Sequence, residues 1–523
     1  MSEYACQREV VGFLSDPSTY FPEPESVQCI QTHGALVFLA GNVVYKIKRA
    51  VKYPYMDFST LEKREFACRR ELAINKPNAP QIYLDVVPIV RTAGGRLRFG
   101  GAGTVLEWAV HMRRFDSDAL LADYASKSRL TDQLAQDVAR AIVRFHCSLV
   151  SVDGLDAGKR MANVVAGVAS SLLSLQVKAV MPAATRLNTL LNHRFIQALA
   201  TLEQRGRLGF VVRGHGDLHL ANIAIIDNCP VLFDALEFDE DLATVDVLYD
   251  LAFLLMDLEF SGLRNYANLI LNRYLFDSDH QENYSGLNAM PFFLGLRASV
   301  RGMVTLQRSQ LQSGGARVAA ISLGKRYLQH AINSLQPPGA ELVAIGGLSG
   351  TGKSTQARAV APDIGASPGA VHLRSDLERK RLSGAQETDR LPPESYAETT
   401  GEQVYGAMLD KAHMALRAGH SVVLDATFLQ PAHRAQAQAL AQTCNVPFCG
   451  IWLTAPANQL RSRVAARRDD ASDATVQVLD RQLASDSGSN TWQPVDASGD
   501  GAQVQINLRR VLSLSAGMRL HRS

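Results

Sequence analysis

The chain has 523 residues, 46% of them hydrophobic and 20% charged, an ordinary balance for a globular protein with more than one core. Its 54 Lys and Arg against 51 Asp and Glu leave a formal net charge of +3, which argues against a whole-protein field aimed at nucleic acid or an anionic membrane. The 7 cysteines are scattered and form no Cys-x-x-Cys pair, so free thiols are expected. The N-terminus has no basic start followed by an apolar run, and the most apolar stretch, 245–260, is interrupted by Asp246, Asp250, Asp257 and Glu259. No membrane span is expected, and the cytoplasm is the expected location.

Residues 35–49 read as two strands joined at Ala40-Gly41-Asn42. A charged helical pattern follows over 61–74. Strand-like runs at 82–90 and 104–112 flank a Gly94-Gly95 turn, which gives a small lobe of sheet plus one helix. Helical spacing dominates 130–202 and 245–335, with mixed strand and loop at 209–238. Gln336-Pro337-Pro338-Gly339 is the clearest linker. Beyond it, strand-like runs at 341–345, 421–424 and 448–453 alternate with helical ones, as in a parallel α/β sheet.

Gly347-Leu348-Ser349-Gly350-Thr351-Gly352-Lys353-Ser354, followed by Thr355, has the form G-x-x-x-x-G-K-[ST]. Its glycines let the backbone curl so that several N–H groups face one anion, at the positive end of the following helix. Lys353 can reach the β and γ phosphates, and the Ser354 hydroxyl can hold Mg²⁺. Val422-Val423-Leu424-Asp425 reads as a strand ending in the acid that supports that Mg²⁺. Arg434 lies nine residues beyond Asp425. Arg461, Arg463, Arg467 and Arg468 form a basic cluster in which Arg463 and Arg467 share a helix face. Beside a phosphate loop that face reads as a nucleotide-binding lid; without one it is a solvated surface. Residues 341–510 resemble the small P-loop kinases of metabolites and nucleic-acid ends. The resemblance implies that Asp376, in RSDLERKRL, lies near the acceptor as a catalytic base.

His215-Gly216-Asp217-Leu218-His219-Leu220-Ala221-Asn222, with Asp234 ending a later apolar run, is a second constellation. Phosphoryl transfer needs a carboxylate near the attacking hydroxyl and oxygen ligands for Mg²⁺, roles open to Asp217 and to Asn222 with Asp234. A plain His-Gly-Asp turn and a two-histidine metal site are the alternatives. HGDLHLAN with LFDALEF resembles the catalytic core of aminoglycoside phosphotransferase-like enzymes, kin to the protein kinases, over residues 30–335. The resemblance implies an ATP-phosphate lysine on the strand Val44–Lys48. Lys46 and Lys48 share one face of that strand, so the strand pattern leaves both open; aligned to V-A-I-K, the match is Lys48. It further implies that Glu71 pairs with that lysine, that Glu107–Val110 forms the adenine hinge, and that Asp250 braces the catalytic loop. His146 reads as a satisfied core residue. The glycine-rich loop and the A-P-E signature of protein kinases are absent, so the acceptor is expected to be a small molecule.

The expected fold is an α+β two-lobed protein-kinase-like domain (1–335), a linker (336–340), and an α/β P-loop NTPase domain with a mostly parallel sheet (341–523). The expected function is ATP- and Mg²⁺-dependent phosphoryl transfer to small-molecule hydroxyls, aminoglycoside-like or metabolite. A regulatory protein with one active kinase domain and a nucleic-acid-end kinase are the alternatives. Acceptor identity and oligomeric state are not encoded in any motif.

Overall fold

The antiparallel hairpin expected near the N-terminus is present in the computed structural model, which describes residues 3–520 apart from 33, 54, 55, 153, 155, 176, 467–471, 486 and 487. Strands β2 (Ala35–Ala40) and β3 (Val43–Lys48) pair from Ala35↔Lys48 to Ala40↔Val43, and Gly41 takes the left-handed φ of 55° at the tight turn. β1 (Val27–Gln31), which the sequence pattern did not single out, adds to their edge. Two short strands follow, β4 (Lys52–Tyr53) and β5 (Met56–Asp57). With β6 (Tyr83–Arg91), β7 (Leu97–Phe99) and β8 (Thr104–Arg113), the larger strands form a six-stranded antiparallel sheet in the order β1-β2-β3-β8-β6-β7. Both its faces are covered. Val10 and Leu14 of the helix Glu3–Ser15 pack on Phe38, Ile47 and Ala109. Cys68 of the helix Leu61–Asn75 packs with Val44, Tyr83 and Val110 on the opposite face. Thr60 caps that second helix by accepting the Lys63 N–H.

Short strands carry the His-Gly-Asp segment. β9 (Val211–Arg213) precedes it, and the hairpin β10 (Ile223–Ile226) and β11 (Cys229–Leu232) follows it. The β10–β11 turn is Asp227-Asn228, both at positive φ. β12 (Thr244–Asp246) then pairs with β9. Asp246 caps the helix Val247–Phe260 by accepting the Leu248 N–H at 2.8 Å. That helix is buried from Val247 to Leu258, which accounts for its apolar sequence. Among the described residues no helix is long and apolar enough to cross a membrane.

The chain divides into two compact units, residues 1–166 with 203–261, and residues 167–202 with 262–523. The second contains a five-stranded parallel sheet: β13 (Leu342–Gly347), β14 (Val371–Arg374), β15 (Val422–Asp425), β16 (Phe448–Thr454) and β17 (Gln493–Asp496), in the order β14-β15-β13-β16-β17. β13 lies between β15 and β16, so the connections leave it to opposite sides and open a crevice at its C-terminal end. β14 is an edge strand. The helix Arg264–Ser278 covers it: Asn268 donates to Ala370 O at 3.0 Å, and Asn272 accepts the His372 N–H at 2.7 Å. Within this unit the helix Arg264–Ser278 thus packs on the edge of the P-loop sheet.

Candidate active sites

In the first unit β3 presents two lysines to one glutamate. Lys46 Nζ lies 2.9 Å from Glu71 Oε1 and 2.6 Å from Asp234 Oδ1. Lys48 Nζ lies 2.6 Å from Glu71 Oε2 and also contacts Glu237. The two-residue spacing on a strand puts both ammonium groups on one side, and the helix Leu61–Asn75 brings Glu71 beneath them with no exposure. Burial alone would raise the Glu71 carboxyl, but the two lysines outweigh it and hold it down to about 2. Burial likewise works against the charged form of Lys46, yet Asp234 and Glu71 push its ammonium well above the usual lysine range. Asp234 itself adopts φ 61°, an uncommon backbone state for a residue with a side chain.

Asp217 and Asn222 face each other across the loop. Asn222 Nδ2 donates to the Asp217 carbonyl at 2.9 Å and to its Oδ2 at 3.0 Å. The loop is tied to the Asp234 segment: Phe233 N–H donates to Asn222 O at 3.1 Å, and Leu236 N–H to His215 O at 2.9 Å. Asp250, fully buried, accepts the His215 and Gly216 N–H groups at 2.6 and 2.9 Å, and His146 Nε2 lies 3.3 Å from it. Asp250 is the loop's brace, and His146 is satisfied in the core. His215 Nε2 bonds Phe233 O and His219 Nδ1 accepts the Ala221 N–H, so these rings serve the loop. Among the described residues no group of three His, Cys, Asp or Glu side chains is placed to hold a metal ion.

The expected adenine hinge is corrected. Residues 107–110 lie in the middle of β8, where Ala109 and Val110 pair with β3 on one side and β6 on the other. Their backbone groups are used by the sheet. Glu107 is buried against Arg64 Nε at 2.9 Å and Gln7 Nε2 at 3.0 Å. The hinge that the resemblance implied falls instead within a central strand.

In the second unit the phosphate loop runs from β13 into the helix Lys353–Val360. Gly350 has φ 87°, and a Cβ there would meet Leu460 O at 2.8 Å, so only glycine fits. Leu348 O accepts both the Thr351 hydroxyl and Lys353 Nζ at 2.9 Å. β15 stands in register beside β13, with Ile345 opposite Asp425. The buried Asp425 takes a hydrogen bond from Ser354 and lies 3.3 Å from His372 Nε2. Burial favours the neutral form of both groups. The Asp425 carboxyl nevertheless falls below its usual range through His372, Arg374 and Ser354, while burial lowers the His372 ring.

A cavity of about 620 Å³ opens on this loop. Ser349, Gly350, Gly352, Lys353, Ser354 and Thr355 line it; Gly347, Leu348 and Thr351 shape the turn behind. Asp376, at the start of the helix Ser375–Leu382, and Asp425 also face it. Arg463 does not. Its guanidinium donates to Ala497 O at 2.8 Å and to Gly499 O at 3.3 Å, bracing the chain after β17. Arg467 and Arg468 lie outside the described residues. Arg434 is likewise spent on backbone, donating to Phe428 O at 2.7 Å and Ser489 O at 3.0 Å. Among the described residues the arginines that line the cavity are Arg379, Arg390 and Arg481. Of these, Arg379 lies in the RSDLERKRL segment, whereas Arg390 and Arg481 belong to no motif.

A protein with two kinase-type domains is what the fold and the two sites define. The phosphotransferase enzyme family model matches residues 59–287, and the AAA domain model matches residues 342–486. The chain belongs to one family with the uncharacterized protein Rv2004c of Mycobacterium tuberculosis, 30% identical over 477 residues that cover 90% of this chain and 92% of that protein. Among solved structures, a Plasmodium vivax ethanolamine kinase matches 58% of this chain and 81% of its own, with 11% identity and TM-score 0.36. A gluconokinase from Sinorhizobium meliloti 1021 matches 36% of this chain and 98% of its own, with 18% identity and TM-score 0.27.

Proposed function

We propose that the chain is an ATP- and Mg²⁺-dependent phosphotransferase with two kinase-type sites, each transferring the γ-phosphoryl group to a hydroxyl of a small-molecule acceptor. The observation that carries the reading is the Glu71–Lys46–Asp234 chain of contacts, 2.9 and 2.6 Å, beside the Asp217–Asn222 pair. The 1–335 and 341–523 segments act as the two functional modules, joined at 336–340, and work in the cytoplasm.

In the first site Lys46 binds the ATP phosphates and Glu71 orients it. Lys48 is a buried structural cation. Asn222 and Asp234 are the Mg²⁺ ligands. Their chemistry fits: the Asn222 amide nitrogen is turned to Asp217, which leaves its oxygen for the metal, and Asp234 is a half-exposed carboxylate. Bound Mg²⁺ supplies charge neutralisation at the phosphates. Asp217 takes the proton of the acceptor hydroxyl. In the second site Lys353 and the loop N–H groups hold the phosphates, Ser354 and Asp425 hold Mg²⁺, and Asp376 is the base. Support comes from the Ser354–Asp425 hydrogen bond and from Asp376 lining the same cavity.

The test is ATP-dependent gain of phosphate by metabolite and aminoglycoside pools, followed by mass spectrometry, in wild type, Asp217→Ala and Lys353→Ala. Each substitution should remove a distinct set of products. Nucleotide binding with no phosphorylated product in wild type would instead mark a regulatory protein.

A further inference from the structure

Besides Lys353, the described lining of the cavity at the phosphate loop carries three arginines, Arg379, Arg390 and Arg481. Arg481 lines the cavity from the helix Val476–Ala484, where the neighbouring Gln482 accepts the Ser349 N–H of the phosphate loop at 2.9 Å. Arg379 and Arg390 line the same cavity as Asp376. Arg379 follows Asp376 by three residues on the helix Ser375–Leu382, one turn along the same face. It donates to Ser395 O at 2.6 Å and lies 4.8 Å over the Tyr396 ring, which aims the planar fork. Arg390 makes no hydrogen bond or ion pair with another described residue.

The segment bearing Arg390 is anchored. The Asp473 carboxylate accepts the Leu391 N–H at 3.0 Å, the Tyr396 hydroxyl at 2.6 Å and Lys380 Nζ at 2.8 Å, and Lys380 is only 1% exposed. Asp473 is therefore used by Lys380 and Tyr396. Of the other carboxylates in the described lining, Asp425 at the end of β15 is engaged by Ser354 and His372, and Asp376 is the proposed base.

We infer that the acceptor at the P-loop site is a small oxyanion, a hydroxy-carboxylate or a phosphomonoester, whose anionic group is held by Arg379 and Arg390 while its hydroxyl faces Asp376. The inference rests on the phosphotransferase reading of this site. Guanidinium forks match carboxylate and phosphate oxygens in bidentate geometry. A neutral polyol leaves them unused, and a polycationic aminoglycoside is repelled. In the transfer the acceptor hydroxyl gives its proton to Asp376 and its oxygen bonds to the γ-phosphorus. The bond from that phosphorus to the β–γ bridging oxygen breaks, and ADP leaves.

The experiment uses full-length Asp217→Asn protein, to silence the other site, with ATP and Mg²⁺. Four probes are offered: the metabolites of a cell extract retained by an anion-exchange resin, the unretained flow-through, kanamycin, and an oligodeoxynucleotide with a 5′-hydroxyl. Lys353-dependent product is expected from the retained fraction alone, and its members separate carboxylate from phosphate acceptors. With that acceptor, Arg390→Ala should raise KM about tenfold with KM for ATP unchanged, and Arg390→Lys should recover part of the loss. Product from the flow-through, kanamycin or the oligonucleotide, product from no probe, or a shift in KM for ATP instead, overturns the inference. ATP turnover unaffected by Lys353→Ala overturns the phosphotransferase reading of the site itself.

Discussion

Lys46 Nζ lies 2.6 Å from Asp234 Oδ1, a contact between residues 188 positions apart. Strand geometry makes Lys46 and Lys48 equivalent, and their partners separate them. Lys46 meets the acid proposed for Mg²⁺, whereas Lys48 lies buried between Glu71 and Glu237. Lys46→Met should lower product formation at the Asp217 site by about a hundredfold or more, with little change in unfolding. Lys48→Met should strand buried carboxylates and destabilise the first unit by about 3–5 kcal/mol. Product assays beside urea melts distinguish them, and the opposite pattern would assign the phosphates to Lys48.

Asp250 holds the loop before Asp217 through two backbone N–H groups at 2.6 and 2.9 Å. Removing the acceptor leaves buried donors unpaired, at about 1–3 kcal/mol each. Asp250→Ala should therefore lose activity at the Asp217 site while nucleotide binding at the P-loop persists. Titration with a fluorescent ATP analogue in a Lys46→Met background reads the second site alone.

Gly350 combines φ 87° with a contact of 2.8 Å between an added Cβ and Leu460 O. The clash is with backbone, which cannot swing aside. Gly350→Ala should weaken P-loop nucleotide affinity by about tenfold or more, because the N–H cradle must shift. Isothermal titration with ADP and Mg²⁺ measures it; unchanged affinity would mean the loop tolerates a side chain.

His420 is buried, its Nε2 lies 2.8 Å from Gly369 O, and burial lowers its ring from 6.5 to about 4. Above pH 6.5 the ring is neutral in both folded and unfolded chains and contributes no pH dependence. As pH falls from 6.5 to 4 only the unfolded chain takes the proton, so stability is lost through this window, on the order of 3 kcal/mol in all. Urea midpoints of the second unit at pH 7 and pH 4.5 should differ in wild type and differ less in His420→Gln. An equal difference in both proteins would assign the acid sensitivity elsewhere.

The sequence by itself determined the chemistry carried within single segments. The phosphate loop, the Asp217–Asn222 loop and the acid at the end of β15 are local: each is a turn or strand end whose residue types are set by backbone conformation and by the ligand it faces. The α/β alternation and the opening hairpin were legible for the same reason, through periodicity. Whatever depends on a distant partner was decided only by the tertiary structure. It separated Lys46 from Lys48, because Asp234 and Glu237 reach them from another part of the chain. It turned Glu107–Val110 from a hinge into a central strand, because β3 and β6 take up its hydrogen bonds. It sent Arg463 to backbone carbonyls and brought Arg390 and Arg481 to the cavity, since a lone arginine carries no periodic signal. It gave the edge of β14 to Asn268 and Asn272, because an exposed strand edge needs partners that spacing along the chain does not reveal.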